Sequence, residues 1–314
     1  MGFTDTFDET FKFVFWVSII LMIAITFAMV YFMVRYHHSR NHQAEDIHGH
    51  FGLEVTWTVI PTILVMAMFY YGYVGYKEMD TIPEDAMVVE TTGRMWSWAF
   101  KYDNGIETDT LVVPQGKAVR LNLGSTDVIH SFYIPAFKIK KDVVPGVNTT
   151  MWFQPDTAGT YDVFCAEYCG DRHSYMLTKL KVLPKAQYDN WYSTTGALFT
   201  SNSSASGSGE IGGNNSARGE ILVKTKGCAA CHTFDGTTLL APSLKGVYGK
   251  TETVITDGKE RTVTVDEEYL IRSIKQPDAD KVKGFDGVAS VPMTQIELSD
   301  EEIAAIIDYL KELK

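Results

Sequence analysis

The 314-residue sequence has few cysteines, and their positions limit what they can do. There are four, in two close pairs, Cys165 with Cys169 and Cys228 with Cys231. A disulfide framework in a small secreted domain would use more cysteines, spread along the chain. Two close pairs instead indicate metal binding or cofactor attachment.

The chain also lacks clustered basic residues. Its formal net charge is −11, and no run of lysine or arginine could meet a phosphate backbone. Binding to nucleic acid depends on such basic patches, so the sequence argues against a nucleic-acid partner.

Two segments lack charge altogether, residues 13–34 and 55–76, each of 22 residues. At about 1.5 Å of rise per residue, each is long enough to cross a hydrocarbon core of ~30 Å as a helix. The alternative for the first segment is a signal peptide, but it is too long, no small-residue cleavage site follows, and the segment before it is acidic. Arg35 and Arg40 lie between the two segments and favour a cytoplasmic loop, which places the rest of the chain outside.

The remainder divides by composition into two soluble modules. Short β-rich runs between Gly, Pro, Asn and Asp predict a sandwich or barrel, and they cover residues 88–89, 95–100, 119–123, 151–153 and 177–182. Residues 201–216 follow, and their high content of Ser, Gly and Asn predicts a flexible coil that acts as a tether. From Ala217 the pattern is helical, and Ser299 with Glu302 forms a capping box before a final amphipathic helix.

A Cys-x3-Cys-x3-His-x2-Met motif ends the β-rich module. Two thiolates, imidazoles and a thioether form a soft ligand set suited to copper, and a second cysteine offers two thiolates that can bridge two metal ions. The alternatives are a Cys165–Cys169 disulfide and a structural zinc site, but zinc rarely recruits a thioether. The candidate ligands are His130, Cys165, Cys169, His173 and Met176.

The helical module carries Cys228-Ala-Ala-Cys231-His232, the pattern of c-type haem attachment. Redox dithiols share the Cys-x-x-Cys part, and the histidine that follows favours haem. Beyond His232 there is no other histidine and one methionine, Met293, so His232 and Met293 are the predicted axial ligands. The alternative is five-coordinate iron, with Met293 filling the core.

Residues 52–184 resemble subunit II of the haem-copper cytochrome c oxidases. The similarity rests on matching segments in the family's order, at residues 53–61, 96–100, 127–135, 140–146 and 165–176. Residues 241–249 and the last helix are similar to class I cytochromes c, in which the carbonyl of Pro242 would orient the ring of His232. The chain is thus identified as a member of the group of oxidase subunits II that carry a fused cytochrome c, the caa3 type.

This resemblance implies a multidomain membrane protein. Its expected parts are a two-helix transmembrane hairpin (1–80), a cupredoxin-like β-barrel (81–186), a flexible linker (187–216) and an all-α class I cytochrome c domain (217–314). The implied cofactors are a dinuclear copper centre of the CuA type, one covalent haem c, and magnesium at the boundary with subunit I.

The resemblance also implies individual roles around the copper centre. Cys165 and Cys169 would bridge the two coppers. One copper would be completed by His130 and Met176, and the other by His173 and the backbone carbonyl of Glu167. The carboxylate of Glu167 would face the magnesium ion.

Two further residues gain a role only through the resemblance. Trp96 resembles the family's exposed tryptophan through which electrons enter, although an ordinary barrel aromatic is the alternative. Glu54 resembles the acid at the mouth of a proton pathway, although a solvated acid at a helix start is the alternative.

The implied function is electron transfer within a proton-translocating oxidase. Electrons would pass from the haem to CuA and then to subunit I, where oxygen is reduced to water with proton pumping. The implied partners are subunit I, other oxidase subunits, and a quinol-oxidising reductase or a cytochrome c as donor. The implied location is a bacterial inner membrane, with both soluble domains on the outer face.

Two other functions remain open on the sequence. A copper-delivery or assembly protein needs exchangeable ligands and no haem, so Cys228 to His232 weighs against it. The other is a subunit of a CuA-dependent nitric oxide reductase, which the match at Glu54 disfavours.

Overall fold

The structure is a computed structural model that describes residues 5–40, 43, 48–200, 212–285, 293 and 295–314. It divides into two compact units, residues 1–84 and 85–314. Most of the Ser/Gly/Asn-rich tract, residues 201–211, lies outside the described residues.

The first unit is a pair of long helices, α1 (Asp5–Arg35) and α2 (Phe51–Asp80). Both are long and apolar enough to cross a membrane. The rings of Phe13 and Tyr71 meet at 5.1 Å between centroids, so the helices touch, yet most of their large apolar side chains are exposed. Apolar surface on this scale is costly in water, which agrees with the predicted transmembrane hairpin.

The second unit begins with two five-stranded sheets. Their orders are β3-β2-β1-β5-β8 and β4-β10-β9-β6-β7. The strands are β1 (Met87–Arg94), β2 (Ser97–Lys101), β3 (Glu107–Thr108), β4 (Leu111–Pro114), β5 (Val119–Ser125), β6 (His130–Ile134), β7 (Ile139–Val143), β8 (Thr149–Phe153), β9 (Gly159–Cys165) and β10 (Leu177–Leu183). The five predicted β-rich runs fall on β1, β2, β5, β8 and β10, except that β2 begins two residues later than expected.

The core of this barrel lies between the two sheets. Trp98 from the first sheet meets Phe132 from the second edge-on, with ring centroids 4.9 Å apart. Alternate residues of β5 are buried, as a strand with one face on a core requires. These features confirm the cupredoxin-like prediction.

A helix follows the barrel where the sequence analysis placed the start of a flexible linker. Helix α3 (Lys185–Thr200) is regular, so the predicted linker boundary at residue 187 is wrong. The reason is tertiary, because Tyr188 is buried and the ring of Trp191 lies 5.3 Å from that of Tyr102. Residues 85–200 are called the copper domain below.

Residues 212–314, called the haem domain, contain α4 (Gly212–Thr225), α5 (Glu267–Lys275) and α6 (Asp300–Glu312). The predicted capping box is present, since the Ser299 hydroxyl accepts from the N–H of Glu302 and the Glu302 carboxylate accepts from the N–H of Ser299. The helical cytochrome c prediction is therefore confirmed, although α4 begins inside the predicted linker.

The haem domain also contains a small sheet that the sequence analysis missed. Its order is β12-β11-β13, formed by Thr251–Thr256 (β11), Lys259–Thr264 (β12) and Lys281–Val282 (β13). Asp257 and Gly258 join the first two strands with positive φ angles of 48° and 76°. An Asp-Gly pair between runs rich in β-branched residues is a hairpin signal, and it was available in the sequence.

Helices α4 and α6 cross at a glycine. A Cβ atom placed on Gly219 would lie 2.0 Å from the carbonyl oxygen of Ala305 and 2.8 Å from the Cβ of Tyr309. Only a residue without a side chain lets the two helix backbones approach so closely. The crossing completes a core that includes Leu222, Val223, Ile306 and Leu310.

We expect Gly219→Ala to destabilise the haem domain by about 1–3 kcal/mol, because the overpacking outweighs the better helix propensity of alanine. Thermal unfolding followed at the haem absorbance measures this. Ala217→Val is the control, since residue 217 is exposed on the same helix. An unchanged transition in Gly219→Ala would contradict the close crossing.

Candidate metal and haem sites

Strand pairing sets the positions of the candidate copper ligands. Strands β6 and β9 are antiparallel neighbours in which Phe132 lies opposite Cys165, so His130 at the start of β6 comes close to Cys165 at the end of β9. Residues 166–176 form the loop between β9 and β10. The N–H of Cys165 donates to the carbonyl of Met176 and closes the base of this loop.

The loop returns the remaining candidate ligands to the same place. The Cys169 Sγ lies 3.8 Å from the Cys165 Sγ, 3.8 Å from the Met176 Sδ and 3.6 Å from the His173 Nδ1. The Cys165 Sγ lies 3.9 Å from the His130 Nδ1 and 3.2 Å from the carbonyl oxygen of Glu167. The structure therefore brings together all six donors that the sequence analysis named.

The distance between the two sulfur atoms distinguishes the possible chemistries. A disulfide requires about 2.05 Å, so sulfurs 3.8 Å apart are not bonded. With metal–sulfur bonds of about 2.3 Å, two sulfurs can share a metal ion when they are no more than ~4.6 Å apart. Both thiols thus fit a site in which they bridge metal ions, and the soft donors around them suit copper.

Asp127 fixes the orientation of the His130 ring. The Asp127 Oδ1 lies 2.8 Å from the His130 Nε2, and the Oδ2 accepts a hydrogen bond from the N–H of Met95 at 2.6 Å. A carboxylate only accepts, so the Nε2 carries the proton and the Nδ1 lone pair points toward Cys165. An outer carboxylate that fixes the tautomer in this way is common behind metal-bound histidines.

The pKa values of the two thiols shift in opposite directions. Burial opposes ionisation of Cys165, but the neighbouring His130 side chain and the surrounding backbone lower its pKa to about 6. Burial and the neighbouring Cys165 charge raise the pKa of Cys169 to about 12. A metal ligand must be deprotonated, so bound cations would favour the thiolate form of both cysteines.

Trp96 is 5% exposed, which differs from the exposed tryptophan that the resemblance implied. Its indole N–H donates to the carbonyl of Cys169 at 3.0 Å, so the ring lies directly against the loop that carries the candidate copper ligands. Trp96 also lines a cavity shared with the haem domain. Close packing against Cys169 and Gly170 of that loop is the physical reason for the difference.

The haem-attachment motif lies on a short 3-10 turn that follows α4. Cys228 and Cys231 are free thiols, and burial raises the pKa of Cys228 to about 11. The His232 Nδ1 lies 2.8 Å from the carbonyl oxygen of Pro242, which only accepts, so the Nδ1 carries the proton. Burial lowers the pKa of His232, and the neutral ring keeps its Nε2 lone pair available for a metal.

A cavity of about 970 Å³ opens in front of His232. It is lined by Cys228, Cys231, His232 and Met293, the four residues that the sequence analysis assigned to the haem. This volume is large enough to enclose most of a cofactor. Met293 is 39% exposed, so the structure does not bury it as core filler.

Two of the sequence-predicted residues stand apart from these contacts. Glu54 lies in the first turn of α2, within the first unit, and its side chain is exposed. The side chain of Glu167 is exposed, while its backbone carbonyl faces Cys165.

Sequence reasoning missed three residues that connect the two sites. Arg94, Arg172 and Lys226 each form a bond between the copper domain and the haem domain. Arg172 lies inside the copper motif, but nothing local indicated a distant partner. Asp127 was also missed as a partner of His130, although it lies in a segment that carried the family resemblance.

Comparison with known families covers nearly the whole chain. Residues 3–73 match "Cytochrome C oxidase subunit II, transmembrane domain", residues 69–183 match "Cytochrome C oxidase subunit II, periplasmic domain", and residues 216–314 match "Cytochrome c".

Individual relatives extend across these boundaries. The chain is 30% identical over 311 residues to "Cytochrome c oxidase subunit 2" of Alkalihalophilus pseudofirmus, covering 95% of this chain and 85% of the relative. It is 31% identical over 310 residues to the protein of the same name from Bacillus subtilis, covering 90% and 82%. The solved periplasmic domain of subunit II of cytochrome oxidase (CoxB) of Bradyrhizobium japonicum matches at 29% identity, covering 38% of this chain and 100% of that chain, with a TM-score of 0.37.

We expect Asp127→Ala to weaken copper binding about 10–100-fold, because the His130 ring loses the partner that sets its tautomer and direction. Competition with a copper chelator, followed by the copper absorbance, measures the loss. Asp162→Ala is the control, since Asp162 is an exposed carboxylate on β9 that pairs with Lys179. Equal affinities in both variants would exclude the orienting role.

Proposed function

Because the chain belongs to the cytochrome c oxidase subunit 2 family and carries a cytochrome c domain, we propose that it is the electron-transfer subunit of a membrane-bound haem-copper oxidase. In this proposal electrons pass from a haem in residues 217–314 to dinuclear copper, and then to a catalytic subunit that reduces oxygen to water with proton pumping. One observation carries it. Trp96 lines the haem cavity and also donates a hydrogen bond to the loop of copper ligands.

The copper centre would be held by the six donors described above. Cys165 and Cys169 would supply its thiolates, His130 and His173 its imidazoles, Met176 its thioether and Glu167 a backbone carbonyl. The bound copper pair would supply one-electron transfer. The chain's part is to hold every donor in place, and burial of His130, Cys165, Cys169 and Met176 supports that rigidity.

The haem would be attached covalently through Cys228 and Cys231, with His232 and Met293 on the iron. The hydrogen bond from His232 to the Pro242 carbonyl keeps the imidazole neutral and directed into the cavity. Met293 lines the same cavity, which supports its role as the second axial ligand.

The membrane hairpin would anchor the subunit beside the catalytic subunit and other oxidase subunits. Both soluble domains would lie on the outer face of a bacterial inner membrane, where a quinol-oxidising reductase or a cytochrome c delivers electrons. The proton-pathway role of Glu54 and the magnesium site at Glu167 stay predictions from the family resemblance.

The covalent attachment predicts a simple outcome. Cys228→Ala should remove one of two thioether bonds and markedly reduce haem retention on a denaturing gel stained for haem peroxidase activity. Cys228→Ala combined with Cys231→Ala should abolish the stain. The double variant tests the attachment itself, because a noncovalent haem would be lost from the unmutated chain as well.

Removing the haem domain separates its role from that of the copper domain. A chain ending after Thr200 keeps α3, and therefore the contacts of Tyr188 and Trp191, together with every copper donor. We expect assembly, two coppers per chain and a mixed-valence electron-spin signal to survive.

Turnover of the truncated complex with its native donor should fall at least tenfold, because the resident donor is gone, whereas small artificial donors that reach the copper site should still work. A chain ending after Leu183 is the control for loss of α3, and we expect it to assemble poorly. Full turnover of the Thr200 truncation with the native donor would refute the proposed electron path.

A further inference from the structure

The copper domain and the haem domain meet at the ends of two short helical segments. Helix α4 ends at Thr225, and the 3-10 turn Cys228–Ala230 carries the haem-attachment cysteines. The carbonyl groups at the end of a helix have no intrahelical donor, and the helix dipole makes that end negative. Both ends face the copper domain, whose Arg94 and Arg172 bond to them.

Arg94 supplies the first of these contacts from the end of β1. Its Nη1 donates to the carbonyl oxygen of Lys226 at 3.0 Å. Gly227 makes the approach possible, since a Cβ there would lie 2.9 Å from the Arg94 Cδ and 3.2 Å from the Ser97 Oγ. Burial lowers the pKa of Arg94, but an arginine remains charged in proteins.

Arg172 supplies the second contact from within the copper-ligand loop. Its guanidinium donates to the carbonyl of Ala230, which lies between the two haem-attachment cysteines. Arg172 directly precedes His173, so one side chain joins the copper loop to the haem turn. A planar guanidinium with several donors is well suited to such backbone recognition.

An ion pair crosses the same boundary. The Lys226 Nζ lies 3.1 Å from Glu107 of the copper domain and 2.8 Å from Glu302 of the haem domain. The side chains are only 15% exposed for Lys226, 19% for Glu107 and 17% for Glu302. Salt therefore screens their attraction less than it screens that of a surface pair. Lys226 therefore links one carboxylate from each domain.

From these contacts we propose that Arg94 and Arg172 are positioning residues that dock the haem-attachment turn onto the copper-ligand loop, with Lys226 and Glu107 closing the interface. The haem domain is then a resident donor held in one arrangement, where the sequence alone suggested a freely tethered one. The docked arrangement covers Trp96 and places it between the haem cavity and Cys169. This proposal rests on the proposed electron-transfer function.

The test uses the complete chain in the assembled oxidase, with Arg94→Met, Arg172→Met and the double variant. Hydrogen–deuterium exchange of residues 104–110 and 224–232 reports docking directly. We expect exchange in both segments to rise roughly tenfold in the double variant, because the interface opens more often. Arg120→Met is the matched control, since Arg120 donates to Asn122 within the copper domain.

A second readout follows electron transfer from haem to copper after rapid reduction. We expect electron transfer in the double variant to be at least about tenfold slower, because the haem would no longer be held at one distance and orientation from the copper. The copper electron-spin signal should stay native, which separates positioning from damage to the ligand set. Electron transfer should be faster in Arg94→Lys than in Arg94→Met, because a lysine keeps a hydrogen-bond donor at this position.

Glu107→Gln gives an independent check if the arginine variants misfold, because it removes the ion pair between domains and leaves Lys226 paired with Glu302. Inside the copper domain it removes only the longer contact of Glu107 with the exposed Lys101, at 3.9 Å. We expect faster exchange in both segments here too. Native exchange and native transfer in the double variant and in Glu107→Gln would overturn the docking proposal. No transfer from haem to copper in the unmutated complex would instead overturn the proposed function.

Discussion

The antiparallel pairing of β6 with β9 is the constraint on which the rest of the copper domain depends. It sets Phe132 opposite Cys165, and this register brings the ring of His130 to the first thiol. A shift by one residue would turn the side chains of β6 to the other face and separate the donors. The pairing is held by the core, where Phe132 packs edge-on against both Trp98 and Phe100. Hydrophobic burial in the barrel thus fixes the geometry of a polar site that lies at its end.

The copper-ligand loop depends on the same framework. Its two ends are joined by the hydrogen bond from Cys165 to Met176, and its middle is held by the bond from Trp96 to Cys169. Asp127 ties the residue before Trp96 to the His130 ring. Segments far apart in sequence therefore hold the donors through bonds between backbone and side chain, and metal binding needs little rearrangement. Such rigidity would suit the proposed role of the site, which is to gain and lose an electron without changing shape.

The core of the haem domain depends on the close crossing of α4 and α6. Its terminal helices cross at Gly219, so close that the core around Ile306 and Leu310 can form from few residues. The crossing directs the end of α4 toward the copper domain, where Arg94 meets the carbonyl of Lys226. The glycine in α4 and the contact at its end thus belong to one arrangement. This arrangement presents the unpaired carbonyl groups at the end of α4 to the copper domain, where an arginine can bind them.

The sequence by itself determined which residues are candidate ligands at both sites, because ligand identity and spacing are local. Two cysteines four residues apart, followed by His173 and Met176, and the Cys-x-x-Cys-His motif can be identified without coordinates. The membrane hairpin was equally visible, since an uncharged run of 22 residues depends on composition alone. The capping box at Ser299 followed from residues three apart.

Only the tertiary structure decided how these parts are joined. Helix α3 forms because Tyr188 and Trp191 find partners on the barrel, and no local signal in its mixed composition required that. Trp96 is buried against the distant loop at Cys169 and Gly170, and the bonds of Arg94, Arg172 and Lys226 join residues 58 to 132 positions apart. Contacts over such separations depend on how completed domains fit together, and local pattern carries no information about that fit. The candidate ligands can therefore be identified from the sequence, while the contacts between the two sites are set by packing.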